Sequence, residues 1–379
     1  DHSGRLPLLV KSGFTGPIYA QKATRDLCRI MLKDAGFLAE KEADSVNRKR
    51  LRKGLAPVRP IYTAEEGVAA MRQFRGLAYQ KRQEILPGIR IRYQDAGHIL
   101  GSGIVEIWLE EKGIKRKLVF SGDLGHAGAP ILRDPARICD ADIVLMESTY
   151  GDRLHRSREE TIRELGEIIR QARHDKGNIL IPAFAVGRSQ DLLYFMSKNR
   201  KAWGLDDWTV FLDSPMAIEA SNVYAKYAHL YDEEAARLWN RRGEGGGLLP
   251  HFQLSRTANQ SRAINRIRSG AIVLAGSGMC EGGRIKHHLK NNIWRSGCHV
   301  VIVGYQAEGT LGRRIVDGAK RIRLWGETIR VAATIHTVGG LSAHADQDGL
   351  VGWYQGFENR PPLYLVHGEK TAQETLRDR

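Results

Sequence analysis

Short apolar runs recur along the chain, each closed by a turn or a polar residue. Ile143-Val144-Leu145-Met146 reads as a buried strand ending in Glu147, and Asn178-Ile179-Leu180-Ile181 as another. Val300–Val303 and Tyr364-Leu365-Val366 give a third and a fourth. Between them the apolar period lengthens to that of a helix. The spacing predicts a helix over Arg158–Arg173, with Ile162, Leu165, Ile169 and Ala172 on one face. Ser157 and Glu160 stand at the spacing of a capping box at its start. A second helix is expected from about Arg188, carrying Leu192, Leu193 and Phe195. Strands alternating with helices make the class α/β. Residues 242–247 are glycine-rich and expected to form a surface loop. No repeat and no long linker is visible, which favours domains nested in one another over domains strung on a tether.

Composition narrows the function classes. Apolar residues make up 42 % of the 379, enough for sizeable cores. The longest apolar runs, such as Ala271-Ile272-Val273-Leu274-Ala275, fall far short of the ~20 residues of a membrane helix. The chain opens on Asp1-His2 rather than Met, with no signal-peptide pattern, so its native start is expected to lie further upstream. Cys28, Cys139, Cys280 and Cys298 are far apart and form no Cys-x-x-Cys pair, as expected of free thiols in a reducing, cytoplasmic compartment. A net charge of +15, with clusters at Arg48–Lys53 and Lys115–Lys117, attracts polyanions. A solvated basic surface explains the same charge.

The candidate chemistry sits in turn-rich segments after apolar runs, where a rigid scaffold presents ligands. His98 lies in Asp95-Ala96-Gly97-His98, Asp123 in Phe120-Ser121-Gly122-Asp123, His344 in Leu341-Ser342-Ala343-His344, and His367 in Leu365-Val366-His367-Gly368-Glu369. Imidazole and carboxylate together suit Zn²⁺ and similar ions. Each residue alone has an ordinary reading as a loop, turn or capping residue, and spacing alone does not show that they meet.

In order, however, Asp1-His2, His98, Asp123, Glu147, His344 and His367 resemble the motifs of the β-CASP nucleases, metallo-β-lactamase-fold enzymes of RNA processing. The resemblance extends over the whole chain. It includes Asp1-His2-Ser3-Gly4-Arg5-Leu6-Pro7, Glu147-Ser148-Thr149-Tyr150-Gly151-Asp152-Arg153, Leu212-Asp213-Ser214-Pro215-Met216-Ala217, Ala275-Gly276-Ser277-Gly278-Met279 and Gly304-Tyr305-Gln306. The bacterial RNA-processing branch is the most similar.

The resemblance implies an α/β fold: a metallo-β-lactamase αββα sandwich interrupted by an inserted α/β β-CASP domain. It implies a first part over residues 1–151, the insert over 152–342 and a return to the first domain over 343–379. It also implies two Zn²⁺ ions, with Mn²⁺ as the alternative. Asp1, His2 and His367 would hold one ion, His98 the other, and Asp123 would bridge both. Two further histidines of the family's motif would precede residue 1, so the 379-residue chain is expected to be impaired as it stands. Glu147 would support a neighbouring histidine, and His344 would protonate the leaving oxygen. Such ions, ~3.5–4 Å apart, generate a nucleophile near neutral pH and clamp the attacked phosphate.

His336, Ser342, Arg188 and Arg284 are candidate contacts to the RNA backbone, against structural and surface roles. The glycine-rich turn Gly276–Met279 could present backbone N–H groups to phosphate or be a tight structural turn. The expected activity is zinc-dependent hydrolysis of single-stranded RNA, mainly endonucleolytic, with 5′→3′ exonuclease activity as a second mode. A homodimer is expected, and no membrane. A small-molecule hydrolase of the same superfamily and a non-catalytic RNA-binding relative are the alternatives.

Overall fold

The structure, a computed structural model, describes residues 2–240 and 249–379. Asp1 and the glycine-rich stretch 242–247 lie outside the described residues. Two six-stranded sheets organise the rest.

The first sheet draws on both ends of the chain. Its order is Leu363–Val366, Ile143–Glu147, Ile114–Phe120, Gly103–Glu111, Ile89–Asp95 and Gln83–Leu86. The last four pair antiparallel, as hairpin-linked neighbours can. Ile143–Glu147 joins them in parallel, and Leu363–Val366 then pairs with it, Val366 opposite Glu147. That register brings the carboxyl end of the late strand beside Glu147.

The second sheet comes from one continuous stretch. Its order is Phe252–Leu254, Thr209–Leu212, Ala271–Ala275, Ile179–Pro182, His299–Ile302 and Thr334–Thr337, every pair parallel. Ala271–Ala275, Ile179–Pro182 and His299–Ile302 are buried on both faces, which explains their unbroken apolar runs. The helix Arg158–His174 buries Leu165, Ile168, Ile169 and Ala172 in this core. Each large aliphatic side chain so buried contributes about 1.5–3 kcal/mol. Ser157 caps the helix, accepting from the Glu160 N–H at 3.4 Å. Glu160 does not complete the box; its carboxylate pairs with Arg156 at 3.4 Å. The second expected helix is Arg188–Lys198.

A 30-residue helix, Lys22–Leu51, was not foreseen from the sequence pattern. Gln21 caps it through its side-chain oxygen, and Thr24 ties its first turn to the Gly101 carbonyl. The basic run Arg48–Lys53 falls at its far end. Ile18–Gln21, which leads into it, pairs with Phe74–Leu77, and Tyr93 of the first sheet donates to Tyr19 O at 2.9 Å. No described helix is long and apolar enough to cross a membrane.

Candidate metal centre

Three loops from separated parts of the sequence are laced together at the carboxyl end of the first sheet. Gly125 N donates to Ala96 O at 2.7 Å, Ala345 N to Leu124 O at 2.7 Å, and His126 N to Ala343 O at 3.2 Å. These bonds fix His98, Asp123 and His344 relative to one another before any side chain is considered. The Gly125 position has no room for a side chain, because a Cβ there would run into the Gly97 carbonyl.

Asp123 stands at the middle, its side chain only 8 % exposed. His2 Nε2 lies 3.7 Å and His98 Nε2 3.8 Å from its Oδ2; His367 Nδ1 lies 3.5 Å from its Oδ1. Two donor sets result, His2–Asp123–His367 and His98–Asp123–His344, each with its ligand atoms within 4.8 Å of one another. An ion ~2.0–2.1 Å from each donor in tetrahedral geometry leaves the donors about 3.3 Å apart, close to these spacings. A nitrogen-rich set sharing one carboxylate suits zinc.

Protonation states fit as well. A ligating imidazole must be neutral. Burial, followed by repulsion from His344, pushes His98 down to about 4. Burial also lowers His2, against the opposing pull of Asp123. His367 adopts a left-handed backbone, φ 51°, and its Nδ1 lies 3.1 Å from Thr149 Oγ1. Non-glycine residues in that conformation concentrate at functional sites.

Glu147 locks the arrangement from below. Its carboxylate accepts from Leu124 N at 2.6 Å and from Thr149 N at 3.3 Å, and both oxygens lie 3.1 Å from His344 Nδ1. Burial works against its charge, but the hydrogen bond and charge of His344 outweigh it, so its pKa sits below the ordinary value. For His344 burial pulls downward, and Glu147 reverses the sign to a net rise. The bond also occupies Nδ1 and leaves Nε2 as the working nitrogen.

Of the four expected backbone contacts, two come to this centre. Ser342 Oγ accepts from His344 N at 3.2 Å. Arg188 shares a small cavity with Ser342, His98, Arg158 and Asp191, and is paired to Asp191 at 3.5 Å. Burial pushes the Asp191 carboxyl up to about 6 against the pull of Arg188. The other two stand elsewhere. Arg284 is tied to buried Asp213 at 2.6 Å and to Ser255 O and Arg256 O at 2.9 Å. His336 Nε2 lies 2.8 Å from His299 Nδ1, whose Nε2 in turn lies 3.2 Å from Asp175. In the Gly276–Met279 turn, Ser277 N donates to Gly282 O, Gly282 N to Ser277 Oγ and Cys280 N to Ser277 O. Those donors close the turn on itself.

The sequence reading assigned nothing to the residues behind His344. His155 Nε2 lies 2.9 Å from His344 O, and its ring packs edge-on against Tyr150 at 4.7 Å and His126 at 5.2 Å. Their only signal was the excess of histidines in loops.

Comparison with known proteins bears on the same regions. Residues 189–315 match the Beta-Casp domain, and residues 328–379 match the Zn-dependent metallo-hydrolase RNA specificity domain. A Thermus thermophilus protein named Ribonuclease TTHA0252 is 36 % identical over 370 residues, 98 % of this chain and 79 % of its own length. Methanocaldococcus jannaschii and Methanococcus maripaludis proteins, each named Transcription termination factor FttA, are 30 % identical over 98 % and 97 % of this chain. The chain spans 57 % of the length of these two archaeal relatives.

Proposed function

Because the chain belongs to the β-CASP family of metallo-β-lactamase-fold RNA nucleases, we propose that its Asp123-centred cluster is the site where RNA phosphodiester bonds are hydrolysed. The protein is a zinc-dependent hydrolase acting on RNA. The observation that carries the assignment of residues is the single buried carboxylate, Asp123, shared by two sets of imidazoles.

In this reading two ions are held, one by His2, Asp123 and His367, the other by His98 and Asp123 with His344 alongside; Asp1 belongs to the first set. Bound zinc supplies Lewis-acid activation of water and neutralises charge on the attacked phosphate. The remaining work belongs to side chains. His344 delivers a proton from Nε2 to the departing 3′ oxygen, and Glu147 keeps its Nδ1 protonated and its ring oriented. Ser342 and Arg188 flank the reacting phosphate from the insert side. The first domain covers residues 1–151 and 343–379 and the insert 152–342, so the site lies where they meet. A strand entering there is single, drawn from a cytoplasmic RNA pool, and cut mainly internally. Small-molecule hydrolysis and metal-free RNA binding are disfavoured by the named ribonuclease relative.

The test, on the full-length protein, is metal analysis followed by cleavage of labelled linear and circular single-stranded RNA, with and without His344→Ala. About two zinc ions per chain and cutting of the circle, abolished in the variant, are expected. Bound zinc with no cut RNA would move the activity to another substrate.

A further inference from the structure

Three neighbouring parallel strands, Ala271–Ala275, Ile179–Pro182 and His299–Ile302, end on one edge of the second sheet. That edge adjoins the metal centre. The loop after Ile179–Pro182 reaches Ile99, whose Cγ2 lies 3.1 Å from where a Gly187 Cβ would be, and continues into Arg188 beside His98. The parallel strand Thr334–Thr337 leads from the same edge to His344. Ligands of open parallel sheets bind at their carboxyl edge.

Two large aromatic side chains stand there in water. Phe184 is 49 % exposed and Tyr305 60 % exposed. Neither belongs to a loose segment. The Phe184 carbonyl accepts from Ser189 N at 3.2 Å and from its Oγ at 2.7 Å. Gln306, buried, donates from Nε2 to Gly278 O at 3.0 Å, Gly304 O at 3.1 Å and Tyr305 O at 3.0 Å. The Gly278 turn therefore joins the two loops, with Gln306 bound to its carbonyl. The Phe184 ring lies against Gly278 itself, 3.0 Å from where a Cβ would stand. Glycine at 278 is thus what lets the ring rest on backbone with its other face open.

We propose that Phe184 and Tyr305, fixed on the Gly278 and Gln306 loops, stack on unpaired nucleobases of the RNA strand running into the metal centre. The proposal rests on the RNA-hydrolase reading above and deepens it. Phosphates are answered by basic charge; an exposed ring on a rigid loop answers a base. Every nucleobase has a π face, so such a platform is tolerant of sequence. A duplex hides those faces, so it also selects single strands. Phe184 and Tyr305 would be binding residues, without part in the proton transfers.

Equilibrium binding in the His344→Ala background, where RNA stays uncut, tests this. The probes are a labelled oligoadenylate and the same sugar–phosphate strand without bases. Phe184→Leu and Tyr305→Leu should each weaken binding of the oligoadenylate about tenfold or more and leave the abasic strand unchanged. Phe184→Trp should restore binding, with its fluorescence quenched by the bases. Equal losses on both probes, or none on either, would overturn the platform while salt-sensitive binding upheld the RNA reading. If neither probe binds with both rings intact, the RNA reading fails and takes the platform with it.

Discussion

His344 is held by Glu147 across 197 residues of sequence, its Nδ1 lying 3.1 Å from both carboxylate oxygens. The pair is what turns a loop histidine into one with a fixed ring and a committed tautomer. Removing the charge of Glu147 while keeping its shape isolates that effect.

In the metal-free protein, Glu147→Gln should lower the His344 pKa, followed by NMR of its ring protons. Burial already pulls the imidazolium down, and the hydrogen bond and charge of Glu147, with a smaller pull from Asp123, overcome it. The sign for stability follows. A histidine raised in the folded state stabilises the fold fully below its unfolded value of ~6.5, and that contribution fades as pH rises through the folded value. RNA cleavage by the zinc-loaded variant should fall roughly 10²–10⁴-fold, the range of a general acid. An unmoved His344 titration would remove Glu147 from this role.

Asp123→Asn should reduce zinc at both sets, since the carboxylate is common to them. His367→Ala should touch only one, leaving about half the zinc of the parent protein. Elemental analysis after dialysis distinguishes the two variants. Equal losses would mean that the two sets are a single site.

The contrast between Arg188 and Arg284 shows where sequence reasoning runs out. Both are arginines of the insert, near an apolar strand and a glycine turn, and nothing local separates them. The fold does: one lines the cavity at His98, the other sits on Asp213. His336 meets His299 only because Thr334–Thr337 pairs alongside His299–Ile302, a neighbour relation that sequence does not carry. Four strands and two helices were legible because burial on both faces, or one helical face, leaves an apolar pattern. The helix Lys22–Leu51 was not, since its buried set is only Ala23, Leu27, Cys28, Leu32, Gly36 and Ala43, while Phe37, Leu38 and Leu51 are exposed. The metal residues were legible through the ordered family motifs. Their meeting at Asp123 depends on loop lacing between residues more than 200 apart.

Arg284→Ala should cost stability, about 3 kcal/mol by chemical denaturation, because it leaves the fully buried Asp213 without its guanidinium. His288 Nε2 and Ser261 Oγ, each 2.6 Å from Asp213, stay in place after the change. The salt dependence of RNA binding should stay unchanged. A drop of about one in its log–log slope would instead make Arg284 a phosphate contact.

Glu106→Gln should destabilise the first domain by about 3–5 kcal/mol at neutral pH. Glu106 is fully buried in the sheet, 2.5 Å from Arg92 Nε and 2.9 Å from Lys117 Nζ. Burial opposes its charge, and the hydrogen bonds of Arg92 and Lys117 outweigh burial to lower its pKa. The stabilisation is therefore present above the unfolded value of ~4.3 and is lost as pH falls through the lower folded value. Denaturation midpoints of parent and variant should converge on acidification; a constant gap would point to packing rather than charge.

Gly125→Ala should weaken fold and metal binding together. Gly125 lies two residues after Asp123, donates to Ala96 O at 2.7 Å and forms a bridge with His344, so all three metal loops meet at this backbone. A methyl group there collides with the carbonyl of Gly97, beside His98. Because the obstacle is backbone rather than a movable side chain, relief requires the Asp123 and His98 loops to separate. That should cost about 3 kcal/mol or more and raise the zinc dissociation constant at both sets. Gly352→Ala is the control: it lies inside the helix Gln347–Tyr354 with nothing within 4 Å of the added methyl. There alanine should stabilise by up to about 1 kcal/mol, as expected for glycine replaced inside a helix. Full zinc affinity in Gly125→Ala, despite lost stability, would show that side chains rather than the loop lacing hold the centre together.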